Sequence, residues 1–370
     1  MSRKGLMPLR KKTSGRNLFS GASAVDLFCG IGGLTHGLIK AGISVNAGID
    51  IDSSCKEVFE SNNNTQFITK DISKLTSGDV LNLYPEGHLK ILVGCAPCQP
   101  FSSYAQKYKG KGNDDRWKLL YSFTRIIRSI EPEIISMENV PLLTKHEPFS
   151  NLMTTLEKMR YKVKFHNVHC ESYGIPQKRT RLVLLASRLG DIDLTPPTHG
   201  PSDYVTVRQA IGELDPIESG ETSTSDPLHR AQKLSELNKK RISNSIPGGT
   251  WRDWDFDLIC PCHTKKSGSS YASVYGRMCW DEPSPTITTQ FFNYGSGRFG
   301  HPDQLRALSL REGAILQSFP NDYIFARPTT PILFKRTATH IGNAVPVKLG
   351  EVIGVTILEH LKRCGVDRNT

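Results

Sequence analysis

Residues 94–102 of this chain read GCAPCQPFS and follow a short apolar run, ILV, at 91–93. Such a run is typical of a buried parallel strand, and open α/β sheets bind their ligands at the carboxyl ends of the strands. The prolines around Cys98 stiffen the backbone, because each ring fixes its own φ and restricts the preceding residue. We therefore expect Cys98 to be a nucleophile at the ligand-binding edge of a sheet. A buried structural cysteine is the alternative, and other motifs have to decide between the two.

The composition indicates a globular protein with a surplus of basic residues. At 370 residues the chain exceeds the size at which one core usually stops growing, which favours two domains. Its 47 Lys and Arg outnumber its 36 Asp and Glu, and the formal charge of +11 favours a polyanionic partner such as nucleic acid. Basic residues spread among Gly, Ser and Pro at 1–20 predict a disordered arm.

The cysteines and the hydropathy pattern bear on the cellular compartment. The nine cysteines form no paired framework. Neither a signal-peptide core nor an apolar run of transmembrane length is visible in the sequence. We expect free thiols in a reducing, intracellular environment, and no membrane partner.

The stretch 24–42 predicts a strand, a glycine-rich turn (CGIGG) and a helix. This arrangement cradles nucleotides, because glycines admit a ligand closely and a helix N-terminus offers free N–H groups. Two further strands, 44–49 and 66–69, lead into acidic residues. Asp50 has the spacing at which a carboxylate meets ribose hydroxyls, and Asp71 could reach an exocyclic amine. Helix capping is the alternative role, most plausibly for Asp52 and Asp71.

Strand–helix alternation continues to about residue 190. The loop 104–115, rich in Lys, Gly and Gln, is expected to close over a substrate. The helix 116–130 carries an apolar stripe that predicts core packing, and the strand 134–137 ends at Glu138. A carboxyl group kept protonated beside a buried strand suits a general acid, although an exposed or salt-bridged glutamate is the alternative.

Three polar side chains alternate in the next motif, Gln177, Arg179 and Arg181, so we expect them to project from one face of a strand. Two guanidinium groups on one face suit a carbonyl oxygen, a phosphate or a carboxylate, and a structural ion pair is equally open. From Asp191 onward the alternation stops, which predicts a domain boundary. Aromatic residues interleaved with Lys and Arg up to about 330 fit contact with a nucleic acid.

The CPCH stretch at 260–263, with Cys279 further on, hints at a metal. Its spacing matches no established zinc pattern, so we predict no metal. Near the end, residues 340–346 (HIGNAVP) precede an amphipathic helix to about Arg363, which is expected to return to the first domain.

Five motifs in this order resemble those of the DNA (cytosine-5)-methyltransferase family: DLFCGIGG at 26–33, PCQ at 97–99, ENV at 138–140, QKRTR at 177–181 and GNAVP at 342–346. The resemblance runs from Ala24 to about Leu361. It implies an α/β fold: a Rossmann-like, S-adenosylmethionine-dependent methyltransferase domain with a mostly parallel sheet, plus a smaller irregular target-recognition domain. The catalytic domain would comprise residues 21–190 and 335–370, and the target-recognition domain with its hinge would comprise 191–334.

The resemblance also implies a cofactor and its contacts. The cofactor would be S-adenosyl-L-methionine, with S-adenosyl-L-homocysteine as its product, and no metal would take part. Asp50 would bind the ribose and Asp71 the adenine amine, whereas Ile51 replaces an aromatic residue of many relatives, which weakens stacking on adenine. The implied cofactor-binding residues are Phe28, Gly30, Gly32, Asp50, Ile51, Asp71, Ile72, Pro97, Leu119, Asn343 and Ala344.

The implied catalytic residues are Cys98, Glu138, Arg179 and Arg181. Cys98 would attack C6 of a cytosine flipped out of duplex DNA, and Glu138 would stabilise the charge that develops on the ring. Arg181 would bind the base O2 and Arg179 would order the site, while the base that removes the C5 proton stays unassigned. Nothing in this set needs a second thiol, so Cys95→Ser is expected to be tolerated.

The expected function is site-specific methylation of double-stranded DNA by a monomer in the prokaryotic cytosol or nucleoid. A restriction-modification setting, with a cognate endonuclease, fits a compact enzyme of one specificity. A tRNA cytosine-5 methyltransferase is the alternative within the fold, although the Cys-Phe-Thr signature of those relatives is absent. A catalytically idle DNA-binding regulator is disfavoured by the intact Cys98 and Glu138. A nicotinamide-dependent oxidoreductase is a more distant alternative, because the glycine motif is incomplete.

Overall fold

The structure is a computed structural model that describes residues 21–97, 118–265, 268–327 and 330–366. The predicted basic arm, the substrate-covering loop at 104–115 and Cys98 itself lie outside the described residues.

A seven-stranded sheet forms the centre of the protein, in the order β3-β2-β1-β4-β5-β8-β6. The first five of these strands are parallel to one another, whereas β8 runs antiparallel to both β5 and β6. A two-stranded parallel sheet pairs β7 with β9. The strands are β1 Ala22–Leu27, β2 Ser44–Asp50, β3 Gln66–Thr69, β4 Leu89–Gly94, β5 Ile134–Asn139, β6 Lys162–His169, β7 Gln177–Lys178, β8 Thr180–Ser187 and β9 Ser284–Pro285.

Ten α-helices accompany these strands in the described residues. They are α1 Gly33–Ala41, α2 Lys56–Asn63, α3 Ser77–Leu81, α4 Lys118–Ile130, α5 Glu147–Lys158, α6 Val207–Ile211, α7 Glu236–Ser243, α8 Leu310–Leu316, α9 Phe334–Asn343 and α10 Val347–Arg363. The mostly parallel α/β fold predicted from the sequence is thereby confirmed.

Burial on both faces explains why the central strands read as continuous apolar runs. Every residue of β1 and of β5 is buried, because helices cover the sheet from both sides. The stripe on α4 packs beneath this sheet through Leu120, Phe123 and Ile127, together with its other buried apolar residues. Parallel strands that lack a polar face must be covered on both faces. This packing keeps the carboxyl ends of the five strands at one edge of the sheet.

The C-terminal helix α10 packs along α1, and glycines make the close approach possible. A Cβ atom on Gly37 would lie 2.3 Å from the carbonyl oxygen of Val347, and one on Gly350 would lie 2.8 Å from that of Leu34. Any side chain at these two positions would force the helices apart. The packing therefore holds the segment that precedes α10 against the turn that precedes α1.

One stretch of the described residues, Phe334–Arg363, has the length and apolar composition to cross a membrane. Its most apolar window is 67% buried inside the protein. The stretch comprises the two separate helices α9 and α10, with Pro346 between them. Packing against α1 accounts for its apolar character.

Residues 191–330 contain little regular structure, yet they share a core with the first part of the chain. Phe59 and Phe67, from α2 and β3, belong to the same buried cluster as Phe291 and Phe319. A buried ion pair lies in this region: the guanidinium of Arg306 donates to both carboxylate oxygens of Glu312, at 2.8 and 2.7 Å. Burial disfavours the charged carboxyl, but the Arg306 charge outweighs it, so the pKa of Glu312 is lowered to about 2.

Removing one partner of this pair leaves an uncompensated buried charge. We expect Arg306→Ala to lower the free energy of unfolding by about 3–5 kcal/mol, measured by urea denaturation. The exposed bidentate pair of Arg208 with Asp281 provides the control, and Arg208→Ala should change stability little. Equal losses in the two variants would contradict a stabilising role for the buried pair.

Candidate active site

A cavity of about 280 Å³ opens at the carboxyl ends of β1, β2 and β4. The turn after β1, the residues after β2 and β3, the segment 95–97, the start of α4 and the segment before α10 form its wall. Ten of the eleven residues predicted to bind a cofactor line it: Phe28, Gly30, Asp50, Ile51, Asp71, Ile72, Pro97, Leu119, Asn343 and Ala344. The structure therefore brings these residues together, and their role as cofactor ligands stays a prediction.

Glycines in the turn after β1 serve two different purposes. A Cβ atom on Gly30 would meet no atom within 4 Å, so the glycine leaves the backbone open towards the cavity. Gly32, the remaining predicted cofactor residue, is not among those lining the cavity. It caps α1 with φ of 88°, and a Cβ there would lie 2.4 Å from Nδ2 of Asn63. Its glycine is thus explained by backbone conformation and packing.

The acidic residues after β2 and β3 are held by backbone N–H groups. The carboxylate of Asp50 accepts a hydrogen bond from the N–H of Gly30 and another from that of Asp52, each at 2.9 Å. Asp52 and Asp71 cap short 3-10 helices, as the capping alternative predicted, through the N–H groups of Ser54 and Ser73. Because Asp50 and Asp71 also line the cavity, capping and ligand binding are compatible there.

Asp26, on β1, is a cavity residue that the sequence analysis did not nominate. Its Oδ2 accepts a hydrogen bond from the Thr35 hydroxyl at 2.7 Å, whereas its buried Oδ1 has no hydrogen-bond partner among the described residues. Burial raises the pKa of Asp26 to about 7, and the nearby charge of Asp50 adds to the shift. The signal available in the sequence was a carboxylate inside an otherwise apolar strand.

Glu138 lies buried at the end of β5, where two neighbours contact its carboxylate. The Sγ of Cys95 donates a hydrogen bond to Oε2 at 2.8 Å, and Nε of Arg181 forms an ion pair with Oε1 at 3.0 Å. Glu138 is 2% exposed, so the salt-bridged alternative for this residue is correct but the exposed one is not. Oε1 accepts no hydrogen bond with suitable angles from the described residues. It thus keeps a lone pair for a group that enters the site.

The contact of Cys95 changes one prediction made from the sequence. We expected no role for a second thiol, yet this thiol touches the candidate acid directly. The adjacent Asn139 donates from Nδ2 to the carbonyl oxygen of Ala96 at 3.0 Å. Glu138 and Asn139 together therefore hold the segment that leads into Cys98.

Arg179 does not share the environment of Arg181. The chain changes sheets at this residue, since β7 pairs with β9 and β8 pairs with β5 and β6. Arg179 is buried and donates from Nη1 to the carbonyl oxygen of Ile287 at 3.2 Å, while burial lowers its pKa to about 10. Gln177 accepts a hydrogen bond from the N–H of Ile287 at 2.9 Å. These two side chains join the first part of the chain to residues 284–317 instead of facing a ligand, whereas Arg181 faces Glu138.

Comparison with known proteins agrees with this geometry. The family model described as "C-5 cytosine-specific DNA methylase" matches residues 22–359. The Type II methylase M.HgiDII of Herpetosiphon aurantiacus is 53% identical over 343 residues, which is 92% of this chain and 96% of that protein. The Type II methyltransferase M.Eco47II of Escherichia coli is 31% identical, over 92% of this chain and 80% of that protein.

Solved structures share the fold at low sequence identity. A mutant DNMT2 of Spodoptera frugiperda superposes with a TM-score of 0.62 at 16% identity, over 91% of this chain and 99% of that one. The methyltransferase EhMeth of Entamoeba histolytica has a TM-score of 0.58 at 18% identity, over 92% of this chain and 99% of that one. Since the family model and the two curated relatives span nearly the whole chain, the protein belongs to the C-5 cytosine-specific DNA methylase family and is a DNA cytosine-5 methyltransferase.

Proposed function

We propose that this enzyme methylates C5 of a cytosine at a specific site in duplex DNA, through a covalent bond between Cys98 and C6 of the base. The observation that carries the proposal is a shared edge of the sheet. The cavity with the expected cofactor residues and the Glu138–Arg181 pair both lie there, with the segment leading into Cys98 between them.

The cavity has the chemistry to hold S-adenosyl-L-methionine. Four carboxylates line it, those of Asp26, Asp50, Asp52 and Asp71, and none of the described lining residues is Lys or Arg. Such a lining favours a cation, and the unpartnered Oδ1 of Asp26 is a buried acceptor for one. S-adenosyl-L-methionine, when bound, supplies the methyl group on a positively charged sulfonium. The product S-adenosyl-L-homocysteine lacks that charge, so the same carboxylates would hold it less firmly.

The residues around the base would overcome the low nucleophilicity of cytosine C5. Addition of the Cys98 thiolate to C6 makes C5 enamine-like, and negative charge develops on the ring. Glu138 would share a proton with N3 through Oε1, which accepts no well-aligned hydrogen bond from the described residues, and Arg181 would hydrogen-bond O2. Once C5 carries the methyl group, removal of the C5 proton would restore the ring and allow the thiolate to leave. Arg179 would act from a distance, by fixing the strand that carries Arg181.

The placement of these groups supports the proposal that the target base is flipped out of the duplex. Glu138 is buried, and a cytosine stacked inside a duplex cannot reach a buried carboxyl group. We assign the catalytic domain to residues 21–190 and 335–370, and target recognition with the hinge to 191–334. In the second segment, aromatic rings stack beside arginines, as with Arg252 over Trp251 at 5.2 Å. The formal charge of +11 is consistent with a DNA partner.

The biological setting is inferred from the relatives. Two of them carry Type II names, which favours a restriction-modification system with a cognate endonuclease for this enzyme too. We propose a monomer that acts in the prokaryotic cytosol or nucleoid. Incubation with labelled cofactor and either duplex DNA or tRNA tests the substrate, because label on tRNA alone would exclude the DNA assignment.

Cys98→Ser should abolish methyl transfer and leave cofactor binding unchanged, since Cys98 attacks the base and does not hold the cofactor. Wild-type enzyme should form a denaturation-resistant complex with duplex DNA containing 5-fluorocytosine, seen as a shifted band on a denaturing gel. The variant should form none. Bisulfite sequencing of DNA from cells that express the wild type would identify the site. Methylation by the variant would refute the mechanism.

Cys95→Ala should lower kcat about tenfold, because it removes one hydrogen bond to the buried carboxyl group of Glu138. The KM values for DNA and cofactor should stay nearly unchanged, since the thiol positions Glu138 for the chemical step. Cys95→Ser keeps a donor and should restore most of kcat, and Cys364→Ala is the control for loss of a thiol elsewhere. A purely structural role would instead lower thermal stability without separating kcat from KM.

Cofactor binding should depend on pH, because Asp26 has its pKa raised to about 7. A cationic ligand prefers the ionised carboxylate, so affinity for S-adenosyl-L-methionine should rise roughly tenfold between about pH 6 and pH 8. Asp26→Asn keeps an acceptor for the Thr35 hydroxyl and should flatten this dependence. Isothermal titration calorimetry measures both. The same slope in wild type and variant would exclude Asp26 as its source.

A further inference from the structure

A second group of potential ligands lies at residues 260–263, none of which lines the active-site cavity. The backbone turns tightly here, with the N–H of His263 donating to the carbonyl oxygen of Cys260 at 2.8 Å. Pro261 occupies the second position of this turn, where its fixed φ is favoured. The turn brings the side chains of Cys260, Cys262 and His263 together.

The ligand atoms of these three side chains lie within 4.8 Å of one another. A tetrahedral zinc ion with two sulfur ligands and one nitrogen ligand needs them about 3.5 to 3.8 Å apart. Small side-chain rotations close that difference. From the sequence we predicted no metal, because C-x-C-H is not an established zinc spacing. Cys279 lies beside Gly248 and is not part of the cluster.

The imidazole of His263 gives independent support for a ligand. The residue is 6% exposed, and its buried Nδ1 has no hydrogen-bond partner among the described residues. The ring stacks on Trp251, with centroids 4.5 Å apart, and the Trp251 indole N–H is fixed by a hydrogen bond to the carbonyl oxygen of Tyr271. A buried nitrogen without a partner destabilises the folded state, and a bond to a metal would remove that cost.

A hydroxyl group lies beside the thiol of Cys260. The thiol is buried, and the hydroxyl of Tyr275 is within hydrogen-bonding reach of it. A hydroxyl beside a metal-bound sulfur supplies the outer hydrogen bond such ligands usually have. The guanidinium of Arg241 lies 5.2 Å from the centre of the Tyr275 ring and adds positive charge nearby.

We propose that Cys260, Cys262 and His263 bind a Zn²⁺ ion. Two thiolates and an imidazole are a soft donor set that selects zinc over Mg²⁺ or Ca²⁺. Binding replaces the two thiol protons, which pass to solvent, and changes no oxidation state. The fourth ligand is water, since Cys262 is exposed and leaves that side of the ion open.

The metal would stabilise a segment that contains little regular secondary structure. Between α7 and β9 the described residues form only two helices, the three-residue 3-10 helices Trp251–Asp253 and Phe256–Leu258. A bond from zinc to His263 would fix the ring on which Trp251 packs. Metal binding would therefore contribute directly to the folding of this segment.

The test uses the full chain, purified without an affinity-tag metal and without chelators. Elemental mass spectrometry should find about one zinc per chain. After exchange, cobalt should give the near-ultraviolet charge-transfer absorption of thiolate ligands and the intense visible bands of a tetrahedral site. Cys260→Ser and Cys262→Ser should lose at least tenfold in zinc content, whereas Cys279→Ser, the matched control, should keep the metal.

Measurements on the wild-type protein can refute the proposal by themselves, so misfolding of a variant would not leave it untested. Absence of zinc together with absence of thiolate–cobalt absorption would refute the site. Metal loss from Cys279→Ser equal to that from Cys260→Ser would also refute it. Methyl transfer is not part of these readouts, so the site can fail while the proposed catalytic function stands.

Discussion

Two consecutive side chains at the end of β5 hold the segment 95–97, which leads into Cys98. Glu138 accepts the hydrogen bond of Cys95, and Asn139 donates to the carbonyl oxygen of Ala96. β5 lies between β4 and β8 in the sheet. β4 leads into the segment 95–97, and β8 carries Arg181, whose guanidinium pairs with Glu138. An acid, a guanidinium and a backbone loop thus meet because three neighbouring strands keep their register. If these groups act in the proposed reaction, such preorganisation would spare the enzyme the cost of ordering them during catalysis.

The cavity beside this loop shows how apolar burial creates charge preference. Asp26 is desolvated by the sheet that buries it, and its carboxyl group therefore has an affinity for either a proton or a cation. Asp50 is treated differently, since two backbone N–H groups already satisfy part of its carboxylate. The carboxyl group of Asp26 can still bind a counter-ion, whereas that of Asp50 is oriented as a hydrogen-bond acceptor. The same type of side chain therefore has different binding properties at these two positions, because its surroundings differ.

Local sequence patterns predicted much of the fold. The features that depend on pairing between distant parts of the chain could not be predicted from them. The strand predicted at 66–69 coincides with β3, because polar residues on both sides of an apolar run mark where the strand begins and ends. The reversed direction of β8 and the change of sheet at Arg179 depend on partners distant in the chain, so no local pattern reveals them. Glu138 was recognisable as a strand-end acid, whereas the contact of Cys95 required knowledge of which strands are neighbours. The placement of Asp26 in the cavity was hidden for the same reason.

The glycine-mediated packing of α10 on α1 has a consequence for biosynthesis. One part of the cavity wall, Asn343 to Val345, is synthesised long after the turn at Gly30 that also lines the cavity. The ribosome must therefore have released the chain as far as this segment before the pocket can close. Until then the glycine face of α1 and the apolar strands behind it stay uncovered, which makes the nascent chain a natural client for chaperones. A chain that stops before Asn343 would lack this part of the cavity wall.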